Sequence, residues 1–367
     1  MTRLMRRNFD WVLLGLALLL SGLGILLIAS ALSGNAVLAN WPLRQAAFLA
    51  TGIPLLFMAA ALDYRLLTSI ASSLYLLLLV ALLLILVFGT SAGGAQRWFF
   101  VGDFLLQPSE LVKLGMILVL ARYLSSREEA QAESIFTPIA ALFIMAPAVA
   151  LIYLQPSFST ALSLLVIGAI MLAISGMNWR YALLLLTGAV AAAVPIWQFL
   201  LKDYMKSRVL GFLNPAHVPA AEHYNIEQAV ISIGSGGWLG RGLFRGSQNQ
   251  LHFLRVRHTD FIFSVTAEEL GFVGAVVLIV LFALLLLRLL HIAGIARDSF
   301  GRLIVVGVTA MILFQFVVNI GMNLNLLPAT GVPLPFISYG GSSLWTMLIG
   351  IGLAESVALR RRKIEFA

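Results

Sequence analysis

An all-α integral membrane protein, with about ten transmembrane helices and a long extracytoplasmic loop between spans seven and eight, is the fold this sequence predicts. Two observations carry the prediction. The 367 residues are 60% hydrophobic and only 11% charged, with a mean hydropathy of +0.98, well beyond what a soluble core with a solvated surface requires. The apolar residues also gather in runs of about 20, the length that crosses roughly 30 Å of hydrocarbon as a helix. The runs do not alternate apolar with polar as the strands of a membrane barrel do.

The spans fall at about 10–32, 42–62, 66–88, 108–124, 137–154, 158–176, 180–200, 260–287, 303–324 and 338–359. The first follows a basic lead, "TRLMRR", in the manner of a secretory signal. Its apolar run from Trp11 to Leu32 is about 22 residues, too long for a typical cleaved signal, and is expected to be a retained anchor. An even number of spans puts both termini on one side. That side collects 14 of the 24 Lys and Arg residues and is therefore expected to be cytoplasmic. Of the basic residues opposite, seven lie in the 201–259 loop, which the orientation rule discounts. Arg44, Arg97 and Lys113 sit near short outer connections, against the usual bias, and need another reason.

There is no cysteine, hence no disulfide framework and no thiolate metal site. The formal charge of +8 suits the anionic headgroups of membrane lipids. Nucleic acid is not an expected partner, since no basic helix with interleaved aromatics is present. Without an internal repeat or low-complexity linker, residues 1–367 read as one membrane domain. The long connections, 89–108, 201–259 and the proline-rich 324–337, lie on the outer side, and long loops in compact proteins are usually functional.

The connection before the fourth span carries "GGAQRWF", with Arg97 and Trp98 at the interface: Trp98 is an ordinary anchor, and Arg97 is suited to lipid phosphate or to a substrate pyrophosphate. The fourth span opens "QPSELVK". Glu110 and Lys113, three residues apart on one helical face, suit an internal ion pair, while a cation at that depth also calls for an acid on a neighbouring helix, for which Asp260 is the natural candidate. In the large loop, "LKDYMKSRVLGFLNP" sets Lys202, Lys206 and Arg208 among apolar residues, as an element lying in the headgroup plane would. The glycine-dense "IGSGGWLGRG" at 233–242 reads as a tight re-entrant turn more readily than as a phosphate cradle. His217, His223, His252 and His258 show no coherent ligand spacing for a metal. The eighth span begins "RHTDFIFSVTAEELG", in which Asp260 suits a helix cap or chemistry at the outer mouth. Glu268 and Glu269 lie deeper, must be enclosed by protein, and are expected to be structural. Finally, "NLNLLPATGVPLPFISYGGSS" at 323–343 interrupts the last helices with Pro328, Pro333 and Pro335. Non-helical backbone at membrane depth is tolerated only against protein or a cavity, so it is expected to wall the outward site.

Taken together, "AGGAQRWF", "QPSELVK", "FLNP", "QAVISIGSGGWLGRG", "RHTDFIFSVTAEELG" and "LLPATGVPLPFISYGGSS" resemble the SEDS family of shape, elongation, division and sporulation proteins, across essentially the whole chain and nearer its elongation member than its division member. The resemblance implies a peptidoglycan glycosyltransferase that polymerises lipid II into glycan strands at the outer face of the bacterial cytoplasmic membrane. It also implies a class B penicillin-binding protein as partner, to cross-link the product. Asp260 matches the family's essential aspartate and is the expected general base. Arg44, Arg97, Glu110, Lys113, Arg208, Arg257 and His258 are the candidate substrate contacts, with the cations placed to stabilise the departing pyrophosphate. A divalent cation bridging that pyrophosphate is compatible with the resemblance, though no ligand spacing demands one.

Two departures stand out. Relatives commonly have a proline and a glutamate where this chain has Arg255 and Val256. They also usually carry an aspartate-leucine-glycine run where this chain reads Ser157, Phe158 and Ser159. Neither touches the Asp260 motif. Two rival functions are set against the enzyme: a lipid II flippase, which buried charges in a polytopic protein also suit, and a non-catalytic scaffold for the transpeptidase. The absence of inverted repeats and paired broken helices counts against the flippase.

Overall fold

The computed structural model describes residues 8–34, 37–92, 95–101, 104–127, 134–214, 220–247, 253–254 and 256–361. Ten helices correspond to the expected spans: α1 (Trp11–Ala31), α2 (Trp41–Ala61), α3 (Leu66–Phe88), α4 (Pro108–Ser125), α5 (Phe136–Leu154), α6 (Phe158–Ile174), α7 (Trp179–Pro195, continued by a π-helical turn to Leu200), α10 (Ile262–Gly294), α11 (Ser299–Asn323) and α12 (Gly341–Leu359). Eight of them are long and apolar enough to cross a membrane on that ground alone. The other two are α4, which carries Glu110, Lys113 and Arg122, and α6, which is apolar but 17 residues long.

The connections hold more structure than an all-α reading provides. Three short strands, β1 (Thr90–Ala92), β2 (Ala95–Val101) and β3 (Phe104–Leu106), form an antiparallel sheet in the order β1-β2-β3 between α3 and α4. The segment between α7 and α10 contains α8 (Asp203–Leu213) and α9 (Ala220–Ser235). In α8 Met205 is buried while Lys202, Asp203 and Arg208 around it are exposed, the division of faces expected of an interfacial helix.

Helices α11 and α12 are the most enclosed, and α4 is buried along nearly its whole length. Polar and charged side chains tie the end opposite the large loop: Arg288 pairs with Asp10 at 2.6 Å, the Asp10 N–H donates to Glu355 at 3.0 Å, and the Tyr64 hydroxyl donates to Asp298 at 2.7 Å. Helix α7 has no buried residue.

Helix α10 is interrupted at Gly271 (φ 70°, ψ −168°). A break there deprives the Glu268 and Glu269 carbonyls and the Phe272 and Val273 N–H groups of their four-residue partners, a severe cost in hydrocarbon. The glycine-dense turn supplies all four. Arg241 and Gly242 donate to the Glu268 and Glu269 carbonyls at 3.0 and 2.9 Å, while the Gly237 and Trp238 carbonyls accept from Phe272 and Val273 at 2.8 and 3.1 Å. The turn thus spends these backbone groups on α10 rather than on phosphate. A Cβ on Gly240 (φ +78°) would lie 2.1 Å from the Glu269 carbonyl oxygen. Gly240→Ala should therefore lower stability by about 1–3 kcal/mol or more. Thermal unfolding in detergent checks this, with Gly234→Ala, which meets no atom within 4 Å, as the unaffected control.

Glu268 and Glu269 are fully buried beside this turn. The Ser232 hydroxyl donates to Glu268 at 2.9 Å and the Ser30 hydroxyl to Glu269 at 2.6 Å, so both acids serve the packing of α9, α10 and α1.

Candidate active site

At the end of the bundle that carries the sheet and the large loop, a cavity of about 230 Å³ opens between β2, α4, α6, α8, α11 and the segment joining α11 to α12. One water needs only about 10–15 Å³ by the same measure. The interrupted 324–340 stretch walls it with Thr330 to Pro333, Tyr339 and Gly340, and the first turn of α12 adds Gly341 to Ser343.

Asp260 does not lie on α10 as its spacing in sequence suggests. The helix begins at Ile262, with Phe261 in the capping position and no side-chain cap, and Asp260 belongs to the turn before it. Four donors fix that turn through three successive carbonyls. The Tyr339 N–H donates to His258 at 2.9 Å and the Ser338 hydroxyl to Thr259 at 2.6 Å. The Asn319 and Asn323 side-chain amides both donate to the Asp260 carbonyl, at 3.0 and 2.9 Å. Each asparagine is itself anchored, Asn319 by donating to the Val332 carbonyl at 2.8 Å and Asn323 by accepting from the Ser264 hydroxyl at 2.6 Å. The backbone is held while the carboxylate, uncommitted to capping, faces the cavity.

A Cβ on Gly331 would sit 3.5 Å from Asp260 Oδ2, so the wall segment closes directly over the carboxylate. Burial pushes the Asp260 carboxyl up to about 6, against the opposing pull of the Arg208 charge and a hydrogen bond from Thr259.

Arg97 and Arg208 line the cavity with Asp260. Arg97 donates to the carbonyls of Gln155, at 2.9 Å, and of Pro156, which seats its guanidinium on the chain between α5 and α6. Arg208 is exposed, 3.4 Å from the Thr330 carbonyl and 5.9 Å from the centre of the Tyr204 ring. The Tyr204 hydroxyl is buried without a hydrogen-bond partner and also lines the cavity. Glu110 and Lys113 line it too, deeper along α4, where Lys113 Nζ lies 2.8 Å from both Glu110 oxygens. The expected cross-helix pair is thus corrected. Lys113 takes its acid from its own helix, at the three-residue spacing, and no ion pair within 4 Å joins it to Asp260.

Three candidate contacts lie elsewhere. Arg257 is buried and donates to the Ala31 carbonyl at the end of α1; adjacency to Asp260 in sequence does not give it the same direction in a tight turn. His258 packs edge-on to Trp41 at 4.9 Å, next to Tyr339. Burial, with Arg257 close by, pushes it down to about 4, so it carries no charge for an anion. Arg44 is exposed beside the Tyr339 hydroxyl, off the cavity lining. Ser157, Phe158 and Ser159 line the cavity, and the Ser159 hydroxyl donates to the Thr330 carbonyl, tying the wall segment to α6. Val256 stands at φ +52°, whereas Arg255, His217, His252 and Pro215 lie outside the described residues. Among the described residues no group of three or more His, Asp or Glu side chains is placed to hold a metal.

Sequence reasoning missed Asn319 and Asn323, and also Gln315, a buried member of the cavity lining on the same face of α11. Their one signal was three amides at four-residue spacing in an apolar span, where polar side chains are rare and usually bonded across helices.

A polytopic helical membrane protein with a charged cavity at one end, built round a fixed aspartate turn, is the class that fold and site define. The chain belongs to the family of FtsW, RodA and SpoVE cell cycle proteins, whose profile matches residues 10–363. It is 39% identical over 324 residues to the peptidoglycan glycosyltransferase MrdB of Escherichia coli K12, covering 88% of this chain and 86% of that relative. Its fold is similar to that of the rod shape determining protein RodA of Thermus thermophilus, with a TM-score of 0.73 at 34% identity over 97% of this chain and 98% of that one. It is also similar to a chain of a peptidoglycan synthase complex described for its structural coordination of polymerization and crosslinking. There the TM-score is 0.82 at 36% identity, covering 95% of this chain and 97% of that one. The likeness to the elongation member of the family therefore holds in sequence and in fold.

Proposed function

We propose that this protein is a peptidoglycan glycosyltransferase that polymerises lipid II into glycan strands during cell elongation, with Asp260 as general base. The observation that carries the assignment of the base is the pinned 258–260 turn. Four donors hold its carbonyls while the carboxylate is left to the cavity that Arg97 and Arg208 also line. The end bearing the large loop faces outward across the cytoplasmic membrane, and both termini face the cytoplasm. This orientation follows the distribution of basic residues over the short connections. Residues 1–367 act as one domain, and a class B penicillin-binding protein is its partner. The similarity to a chain of a synthase complex that couples polymerization to crosslinking supports that pairing.

In the reaction, the acceptor sugar hydroxyl gives its proton to Asp260 as its oxygen bonds to the anomeric carbon of the donor. The bond from that carbon to the lipid pyrophosphate breaks, and the electron pair leaves with the oxygen of the lipid pyrophosphate. Arg97 and Arg208 meet the developing negative charge, and the Tyr204 hydroxyl in the same cavity lining is a further donor. The Glu110–Lys113 pair fixes the cavity wall beneath.

A base must be deprotonated to act. With its carboxyl pushed up to about 6, Asp260 is charged above that value and protonated below it. Polymerisation by the reconstituted protein is expected to be flat above about pH 7 and to fall about tenfold per unit below pH 6. A rate constant independent of pH from 5 to 8 would remove Asp260 from the role.

A further inference from the structure

Gln315 is 1% exposed, and its Oε1 atom has no hydrogen-bond partner, yet the residue lines the same cavity as Asp260. Three polar side chains that line the cavity with it are already engaged. Lys113 is paired with Glu110, the Ser163 hydroxyl donates to the Thr160 carbonyl, and the Ser159 hydroxyl donates to the Thr330 carbonyl. A buried polar atom left without a partner forfeits its hydration for nothing in return, so the position is suited to an incoming group.

The register of α11 sets how deep that group lies relative to the turn that holds Asp260. Gln315, Asn319 and Asn323 follow one another at four-residue steps on one face, and the latter two touch the Asp260 carbonyl. Gln315 therefore sits one turn, about 6 Å, further into the bundle than Asn319. A primary amide offers a donor and an acceptor side by side and no charge. A second amide meets it through one of these groups, its N–H donating to Oε1 or its carbonyl accepting from the NH2. The sugars of peptidoglycan carry such a group, the 2-acetamido substituent, two ring carbons from the 4-hydroxyl. That separation is comparable to one helical turn.

We propose that the Gln315 carboxamide reads the 2-acetamido group of the sugar whose hydroxyl Asp260 deprotonates. Gln315 is then a specificity-determining residue at the cavity floor, and the cationic mouth at Arg97 and Arg208 takes the pyrophosphate. The assignment rests on the glycosyltransferase reading and adds a subsite to it.

The test uses the full-length protein with its transpeptidase partner. kcat/KM for polymerisation is compared between lipid II and lipid II whose acceptor acetamido group has been replaced by a free amine. The comparison is made for wild type and for Gln315→Met and Gln315→Leu. Wild type should lose at least tenfold on the amine. Each variant should lose at least tenfold on natural lipid II and show little discrimination between the two substrates. Because an unpartnered polar group is being replaced by an apolar one, the thermal midpoints of the variants should hold or rise. Activity on natural lipid II within twofold of wild type would overturn the assignment. So would an equal loss on both substrates that preserves the wild-type ratio, or a lowered midpoint in both variants, since each marks a structural role. Wild type making strands in such a result leaves the glycosyltransferase reading standing. Wild type making none from natural lipid II overturns that reading and this subsite with it.

Discussion

Asp260→Asn should lose polymerising activity by about 10²–10⁴-fold, the range a positioned base supplies, while remaining folded and bound to its transpeptidase. The size follows from what the substitution leaves intact. Asparagine keeps the shape of the side chain, and the carbonyls of residues 258–260 still take their four donors, so only the proton acceptor is lost. Stability should move the other way. The carboxyl is raised from 3.8 to about 6 in the folded state, so the folded protein binds the proton more tightly than the unfolded chain. Asp260 thus contributes stability below about pH 4 that is lost as the pH rises through about 6. A neutral asparagine escapes that loss, and its thermal midpoint at pH 7.5 should equal or exceed that of wild type. An inactive variant with a collapsed midpoint would mean that the turn, and not the base, had been removed.

Lys113→Met should cost about 3–5 kcal/mol, because it strands the buried Glu110 carboxylate without its cation. Lys113 and Glu110 are 1% and 5% exposed, so water does little to soften the loss. The double variant Glu110→Gln with Lys113→Met should recover most of that stability, since replacing both members of a buried pair is often near neutral. It should not recover activity, because a cation and an anion of the cavity lining are gone. Denaturant or thermal unfolding in detergent gives the first quantity, and polymerisation of lipid II by the same preparations gives the second. A single variant as stable as wild type would show that the pair is solvated and that the cavity is wetter at that depth than its burial indicates.

The spans were legible in the sequence because hydrocarbon leaves the backbone few options. A run of 20 apolar residues must be helical, and each of the ten runs appears as a helix, with ends within a few residues of those expected except in the eighth, which continues seven residues past its expected end to Gly294. The sheet was not legible, because strands as short as Thr90–Ala92 and Phe104–Leu106 are too brief for an alternating pattern to register. Nor was α9, inside a segment whose length alone marked it as functional. The interruption of α10 shows the same limit. Glycines at 236–242 signalled a tight turn, but not that the turn completes hydrogen bonds which Gly271 breaks in another helix.

At the site, the residues that carry distinctive chemistry were found, and those that hold them were not. Asp260, Arg97, Arg208, Glu110 and Lys113 share one cavity, as the charges in their apolar setting suggested. Asn319 and Asn323 lie 59 and 63 residues from the turn they fix, and no local pattern announces a partner at such a distance. Arg257 and His258 went the other way. Their neighbours in sequence mark them as site residues, yet the turn directs one toward α1 and the other into an aromatic cluster.

The most direct test of the account separates chemistry from transport and from scaffolding. Detergent-solubilised protein with its transpeptidase partner is given lipid II in the absence of any membrane gradient, and the products are resolved by length. Glycan strands from wild type, and none from Asp260→Asn prepared alongside it, are the predicted result. Failure of wild type to make strands, with lipid II recovered unchanged, or strands made equally well by both proteins, would contradict it.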